Sequence, residues 1–155
     1  MTFTQSEIAY LDEQPLGRLA TLRPDGTLQN SPVGFRYNHA LGTIDIGGYD
    51  LTASRKYRNV AANGQVAFVV DDVPSLSPWK VRCLEIRGTA EAIEKPSDSA
   101  YGNGDPIIRV RARRIISYGT EDPVIRVRAR RIISYGTEGR GAVPGEVQPY
   151  NRNVR

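Results

Sequence analysis

Apolar and polar residues alternate along most of the first 120 positions of the chain, and turn residues interrupt the alternation at short intervals. Short alternating or apolar runs predict strands, whose ranges are 17–22, 27–38, 43–48, 65–72, 81–93 and the arginine-rich segment that begins at 107. Many strands joined by hairpin-type turns are typical of an antiparallel barrel. The pattern therefore predicts a mainly β protein with a few helices packed on it.

Helix and turn signals divide these strands. A capping box from Thr4 to Glu7 begins a first helix, which Pro15 ends. A second helix is predicted at 52–62, with Asn63-Gly64 as its C-cap. Two further features complete the prediction: Pro32 marks a break or an edge in its strand, and loops are expected at 73–80 and 94–106.

The C-terminal third contains a tandem repeat. Residues 105–121 (DPIIRVRARRIISYGTE) are followed directly by 122–138, which differ only by Val124 in place of Ile107. Two units are too few for a solenoid, and we interpret them as a duplicated strand. Alternation of Arg with Val and Ala predicts a half-buried strand with a basic face, exposed to solvent or to an interface. Which copy occupies the barrel is open, and we expect the first.

Composition and charge limit the possible functions. The 155 residues suit one domain, 1–155, and 39% hydrophobic residues can form a core. No apolar run approaches the length of a membrane span and no signal peptide is evident, so we expect a cytoplasmic protein without membrane contact. The single histidine, His39, lies in a turn and the single cysteine, Cys83, in a strand core, which disfavours a metal site, a disulfide or a Cys-His nucleophile.

The second predicted helix begins with an unusual concentration of positive charge. Arg55, Lys56 and Arg58 lie near its N-terminus, where the helix dipole disfavours cations. No acidic residue follows within the helix to pair with them. Hydroxyls of Thr52 and Ser54 add donors beside the free backbone N–H groups. This combination indicates a site for a phosphate or carboxylate, although a solvated basic helix face is the simpler alternative.

The order of several motifs resembles one family. The chain is similar to the pyridoxamine 5′-phosphate oxidase-like split-barrel superfamily, FMN-binding-protein-like in fold, and to its coenzyme F420 (deazaflavin)-dependent branch, near the reductases of tetracycline biosynthesis. The resemblance covers most of residues 5–120, and its matching segments are LGRLATLRPDG (16–26), QNSPVGFRYN (29–38), TIDIGG (43–48), SRKYRNVAANGQVAFVVDD (54–72), PWKVRCLEIRGTAEA (78–92) and IIRVRARRIISYG (107–119). A second copy of the last segment departs from the family pattern.

The resemblance implies a split barrel of six or seven strands in a homodimer, with the cofactor at the subunit interface. The implied phosphate ligands are Ser54, Arg55, Lys56 and Arg58, and the implied lining of the flavin-like ring is Asn30, Ser31, Pro32 and Val33. A less secure transfer brings three residues near the cofactor or its acidic tail: Trp79, Lys80 and Arg82. The simpler alternatives are a core role for Val33 and a surface role for Trp79.

The implied activity is hydride transfer from reduced coenzyme F420 to a conjugated enone or polycyclic small molecule. No catalytic residue is identified, and the compensating proton comes from water or from Tyr37, Tyr57 or Tyr118. The alternatives that stay open are an FMN-dependent oxidoreductase, a non-catalytic carrier of a cofactor, haem breakdown product or lipid, and a nucleic-acid binder that uses the arginine strands. We expect no nucleic acid, because no aromatic platform is interleaved with these arginines.

Overall fold

A computed structural model describes residues 2–120 and 150–153. Its elements in chain order are α1 (Gln5–Glu13), β1 (Leu16–Leu22), β2 (Leu28–Asn38), β3 (Thr43–Ile46), a 3-10 turn (Leu51–Ala53), α2 (Arg55–Ala62), β4 (Gln65–Leu76), β5 (Trp79–Ile93), β6 (Ile107–Tyr118) and β7 (Tyr150–Asn153). The first repeat unit forms β6, as expected. The second unit, 122–138, lies outside the described residues.

Six of the strands close into a barrel in which every pairing is antiparallel. The order is β3-β2-β1-β4-β5-β6, and β3 pairs with β6 to complete the ring. One edge of β6 pairs with β5. Its other edge is shared by two strands: Ile108–Val110 pair with β3, and Arg114–Ser117 pair with β7. The interior is filled by fully buried apolar side chains, among them Leu19, Phe68, Leu84, Ile86 and Ile108. The predicted mainly β antiparallel barrel is confirmed.

Several local predictions are also confirmed. Thr4 and Glu7 form the capping box of α1, with the Thr4 hydroxyl accepting from the Glu7 backbone and the Glu7 side chain accepting from the Thr4 backbone. Pro32 lies in the half of β2 that pairs with β1 and, within residues 2–120 and 150–153, with no second strand, so a missing N–H is tolerated. His39 lies in a turn and Cys83 is buried in β5.

Three boundaries differ from the prediction. Residues 73–80 are not a loop: β4 and β5 extend into a long hairpin in which Leu76 pairs with Trp79. The helix begins at Arg55 rather than at 52, because 51–53 form a separate 3-10 turn. The Asn63 cap is extended and Gly64 has no left-handed φ, so the glycine C-cap is wrong. Gly64 instead packs closely on β5, where a Cβ would lie 2.8 Å from a backbone oxygen.

A buried ion pair joins β3 to β6. The Arg109 guanidinium donates to both carboxylate oxygens of Asp45, from Nε at 2.8 Å and from Nη2 at 3.0 Å, and Asp45 is fully buried. Asp45 also accepts from Asn38 and from the Ala100 backbone, and Arg109 donates to Asp98. The prediction that the arginines of β6 form an exposed basic face is therefore confirmed for Arg111 and Arg113, but it is wrong for Arg109, which is buried. These bonds attach loop 94–106 to the barrel.

No helix in the described part of the chain has the length and apolar character needed to cross a membrane.

Candidate functional site

The first turn of α2 is defined by its cap. The Ser54 hydroxyl accepts a hydrogen bond from the Tyr57 backbone at 3.3 Å and donates one to the Leu51 carbonyl at 2.6 Å. The helix therefore begins one residue later, and the predicted cations at 55 and 56 occupy its first two positions. The later start places these charges closer to the free N–H groups than the sequence indicated.

The positive charge of this turn is not neutralised within the described residues. Arg55 and Arg58 are exposed, Lys56 is half-buried, and none of the three forms an ion pair in that part of the chain. No acidic side chain lies in the first turn. Three cations and a dipole of the same sign repel one another, so an anion that docks here gains from all of them. The turn has the chemistry of a phosphate site.

Asn59 fixes the helix beside the end of β2. Its side-chain amide is buried and donates to the Thr21 hydroxyl at 3.0 Å and to the Gln29 side-chain oxygen at 3.1 Å. Gln29 immediately precedes the predicted ring-lining segment 30–33. The cationic helix α2 and the predicted ring-lining segment 30–33 are thus neighbours in the fold. Sequence reasoning did not identify Asn59; the available signal was a polar residue on the buried face of the helix, which requires a partner.

Successive residues of segment 30–33 point to opposite sides of β2. Val33 is buried and Ser31 half-buried on one side, whereas Asn30 and Pro32 are exposed on the other. Their side chains therefore cannot all contact one ligand, and backbone groups must contribute. The Ser31 hydroxyl oxygen is buried without a hydrogen-bond partner among the described residues. It is an open hydrogen-bonding group on the strand that contacts α2 through Gln29.

Trp79 and Lys80 lie elsewhere on the molecule. They are exposed at the tip of the β4–β5 hairpin, with Trp79 46% exposed. α2 covers the other end of the barrel, since its partner Thr21 pairs with Val66, which pairs with Gly88. Gly88 lies nine positions after Trp79 in β5, which is about 30 Å of extended strand. One subunit does not bring the hairpin tip to α2.

Arg82 is occupied by neighbouring carboxylates. It donates to Asp72 at 2.6 Å and 2.9 Å and to Glu13 at 3.0 Å, and its guanidinium lies over the Tyr10 ring. The hydrogen bonds from Arg82 hold the pKa of Asp72 below its usual range. The network joins α1 to the hairpin, which gives Arg82 a structural role whether or not it also contacts a ligand.

The three candidate proton donors have different surroundings. Burial raises the pKa of Tyr37, Tyr57 and Tyr118, so all three phenols keep their protons at neutral pH. The Tyr57 hydroxyl is buried with no partner among the described residues, and the Tyr118 hydroxyl bonds to Cys83. Only Tyr57 combines a position on α2 with an unused hydroxyl.

Tyr37 lines a separate cleft. The cleft has a volume of about 300 Å³, lies between α1 and β2, and also contains His39 and Asp12, whose side chains are 3.2 Å apart. Its polar lining was not identified from the sequence, because Asp12 and His39 lie 27 positions apart.

Comparisons with known proteins agree with this fold. A family model described as pyridoxamine 5′-phosphate oxidase matches residues 4–132. The chain is 48% identical, over 118 residues, to a 5a,11a-dehydrotetracycline/5a,11a-dehydrooxytetracycline reductase of Streptomyces rimosus, a match that covers 76% of this chain and 83% of that protein.

Solved structures give the same result. An F420 reductase superposes with a TM-score of 0.51 at 29% identity, covering 67% of this chain and 90% of that one. A conserved hypothetical protein of Mycobacterium tuberculosis superposes with a TM-score of 0.59 at 20% identity, covering 83% and 94%, and shows the fold alone. The closed barrel, the family match and the 48% identical relative together establish that this chain belongs to the pyridoxamine 5′-phosphate oxidase family of split-barrel proteins.

Proposed function

We propose that this protein is an oxidoreductase, specifically a reductase that uses reduced coenzyme F420 to reduce a conjugated enone or polycyclic small molecule. The observation that carries the proposal is the unneutralised cationic first turn of α2, in a chain 48% identical to a dehydrotetracycline reductase. The likeness to an F420 reductase at 29% identity supports the choice of cofactor.

The first turn of α2 would hold the cofactor phosphate. Arg55, Lys56 and Arg58 supply charge, and free backbone N–H groups supply directed donors. Ser54 fixes the start of the helix, but its hydroxyl already accepts from the Tyr57 N–H and donates to the Leu51 carbonyl, so the implied hydrogen bond from Ser54 to the phosphate would require that hydroxyl to leave Leu51. Asn59 maintains the position of the helix over β2, which sets the distance between phosphate and ring.

Segment 30–33 would hold the ring edge. Ser31 is the donor with an unfilled hydrogen bond, and the backbone of the segment is the remaining polar surface. When bound, the deazaflavin supplies a hydride from its C5 carbon, and the protein supplies grip, orientation and exclusion of water. Tyr57, whose phenol has a pKa raised by burial and whose hydroxyl has no hydrogen-bond partner among the described residues, would supply the compensating proton.

The active form in this proposal is a homodimer with the cofactor between subunits. Trp79 and Lys80 lie about 30 Å along β5 from the part of the barrel that α2 covers, so only a second copy can bring them to the same ligand. The hairpin that carries them is apolar for an exposed surface, with Leu76 76% and Val73 44% exposed. Burial of this surface against a partner favours association. The charge of Lys80 would then face the acidic tail of the cofactor.

Subunit complementation tests this arrangement. Lys56→Ala and Trp79→Ala homodimers are each expected to reduce substrate poorly. If each site takes α2 from one subunit and the hairpin from the other, mixed dimers contain one intact site, and mixing with subunit exchange restores about a quarter of wild-type activity on simple statistics. No gain on mixing would contradict a site shared between subunits.

A matched pair of lysines tests the phosphate assignment. Lys56→Ala removes a charge-assisted contact worth about 1.5–3 kcal/mol, a loss in cofactor affinity of about 10- to 150-fold. Lys95→Ala removes an equally positive but exposed side chain from loop 94–106, and affinity should change less than twofold. Equal losses in the two variants would refute the assignment.

Oxidation of reduced coenzyme F420 by a conjugated enone, followed spectroscopically, tests the activity itself. Binding of the coenzyme without turnover would favour a carrier.

A further inference from the structure

The link between β3 and the cationic turn of α2 is short and has an uncommon backbone conformation. It comprises residues 47–54 and begins directly after Ile46. Its middle is exposed: Tyr49 is fully exposed, and Asp50 has a left-handed φ of 46°, which is uncommon for a residue other than glycine. Such a backbone persists only where the surrounding structure holds it. The position of the cationic turn therefore depends on what holds the two ends of the link.

The end of the link next to α2 is held by the core and by the helix cap. Leu51 is 3% exposed, and its carbonyl accepts from the Ser54 backbone at 3.0 Å and from the Ser54 hydroxyl at 2.6 Å. The buried residues of α2 follow later in the helix: Tyr57, Asn59 and Val60. Arg55 and Lys56 precede this buried set, so the link contributes more to their placement than core packing does.

The end of the link next to β3 is held by Tyr101, which is half-buried in loop 94–106. The Gly47 N–H donates to the Tyr101 hydroxyl at 3.1 Å. A Cβ on residue 47 would lie 3.0 Å from the Tyr101 ring, so a glycine is what allows the ring to pack so closely on this backbone. The Arg36 guanidinium lies over the same ring, 4.9 Å from its centroid. Tyr101 therefore both bonds to the link and packs against it.

Tyr101 is itself fixed by the buried ion pair between β3 and β6. The Ala100 N–H donates to Asp45 at 2.8 Å, and Asp45 also accepts from Arg109 at 2.8 Å. The Tyr101 N–H donates to the Ser99 hydroxyl at 3.0 Å. The backbone that carries Tyr101 is thus bonded to the most deeply buried polar group of the barrel wall, and the Tyr101 hydroxyl is a preorganised acceptor for the link.

We propose that Tyr101 is a positioning residue for the phosphate site: it fixes Gly47 and, through the link 47–54, it sets the position of the cationic turn of α2. This inference rests on the proposed function, because it concerns the same site. A phosphate gains most from N–H groups and cations that are already in place, since ordering them on binding lowers affinity. Tyr101 is assigned no contact with the cofactor and acts through the backbone of the link.

Tyr101→Phe tests this role, because it removes one hydroxyl and keeps the ring. The Gly47 N–H then loses its acceptor, and a hydrogen bond of this kind is worth roughly two- to tenfold in an equilibrium constant. We expect the affinity for coenzyme F420, measured by fluorescence titration, to fall by roughly two- to tenfold. In the ligand-free protein, hydrogen exchange followed by NMR should accelerate by a similar factor at the Ala53 and Ser54 amides, which are hydrogen-bonded within the link and do not contact Tyr101.

Ser117→Ala is the matched control. It removes another hydroxyl that forms a hydrogen bond, in this case to Glu7 at 3.0 Å, and it lies on β6 outside the link. Its folded-to-unfolded ratio in urea should fall, whereas its affinity for coenzyme F420 and its exchange at Ala53 and Ser54 should equal those of wild type. If Tyr101 only stabilised the fold, Tyr101→Phe and Ser117→Ala would behave alike in all three measurements.

A double-mutant cycle with Lys56→Ala separates the outcomes. If Tyr101 acts through the cationic turn, Tyr101→Phe should reduce affinity less in the Lys56→Ala background than in wild type. If Lys56→Ala weakens binding but Tyr101→Phe does not, or if exchange at Ala53 and Ser54 is unchanged, this inference alone is wrong. An equal effect of Tyr101→Phe in both backgrounds contradicts it as well. If Lys56→Ala binds the coenzyme as tightly as wild type, the phosphate site of the proposed function is itself wrong, and this inference is wrong with it.

Discussion

The buried carboxylate at the β3–β6 seam offers a quantitative test of how the barrel is held together. Asp45 is fully buried and accepts four hydrogen bonds, two of them from Arg109 at 2.8 Å and 3.0 Å. Asp45→Asn keeps the size of the side chain but removes its charge and replaces an acceptor oxygen with a donor. Among the described residues, Arg109 then remains buried with the Asp98 side chain, which is about half exposed, as its one counter-charge.

Loss of one partner of a buried ion pair typically costs about 3–5 kcal/mol. For a chain of this size each kcal/mol corresponds to about 2–4 °C, so we expect Asp45→Asn to lower the melting temperature by about 6–20 °C. The matched control is Asp71→Asn, which breaks an exposed pair with Arg18 and should cost less than about 1 kcal/mol. Calorimetry of both variants measures the difference.

The stability difference between wild type and Asp45→Asn should also depend on pH, and the direction of that dependence is an independent test. Burial raises the pKa of Asp45, but hydrogen bonds from Arg109, Ala100 and Asn38 outweigh burial and hold that pKa below its usual range. A depressed folded pKa means that the stabilisation is complete above about pH 4, the ordinary range of an Asp, and is lost as the pH falls through the lower folded value. The difference in unfolding free energy between wild type and Asp45→Asn should therefore decrease as the pH is lowered. A difference in unfolding free energy below about 1 kcal/mol at pH 7, or a difference that increases as the pH is lowered, would refute the reasoning.

Three further outcomes are expected. Ser54→Ala removes the cap of α2 and should cost about 1 kcal/mol in unfolding free energy by urea titration, with Ser54→Gly closer to wild type. Gly88→Ala places a Cβ against the Arg111 carbonyl oxygen and should cost about 1–3 kcal/mol or more by the same assay; a neutral result would mean that the β5–β6 bulge adjusts freely. Arg82 hydrogen bonds depress the pKa of Asp72, so Asp72→Asn should flatten the loss of stability as the pH falls below the ordinary Asp range, as measured by acid titration of circular dichroism.

Local chemistry made much of the site predictable. The charge of Arg55 and Lys56 is a property of adjacent residues, so it could be identified without the fold. The cap at Ser54 was missed, because the helix was predicted to begin at 52. The pattern of alternating or apolar runs likewise predicted the six strands β1 to β6 and the antiparallel class. Ser31 was identified only through resemblance to a family, because a serine in an alternating strand has no distinctive local signal.

Long-range pairing accounts for what the sequence did not reveal. Residues 73–80 contain prolines and serines that are typical of loops, yet cross-strand pairing of Leu76 with Trp79 continues the hairpin through them. Asp45 and Arg109 are 64 positions apart, and no local periodicity links them. The length of strand between α2 and the hairpin tip is likewise a property of the barrel, and it supports the proposal, already implied by the resemblance, that two subunits form each site.

The most direct test of the proposed function is a titration of the purified protein with coenzyme F420 and, separately, with FMN, followed by cofactor fluorescence. We expect tight binding of the deazaflavin, weak binding of FMN, and loss of the former in Lys56→Ala but not in Lys95→Ala. Preference for FMN would assign the protein to an FMN-dependent oxidoreductase activity. Binding of neither cofactor would mean that the cationic turn of α2 serves a different anion.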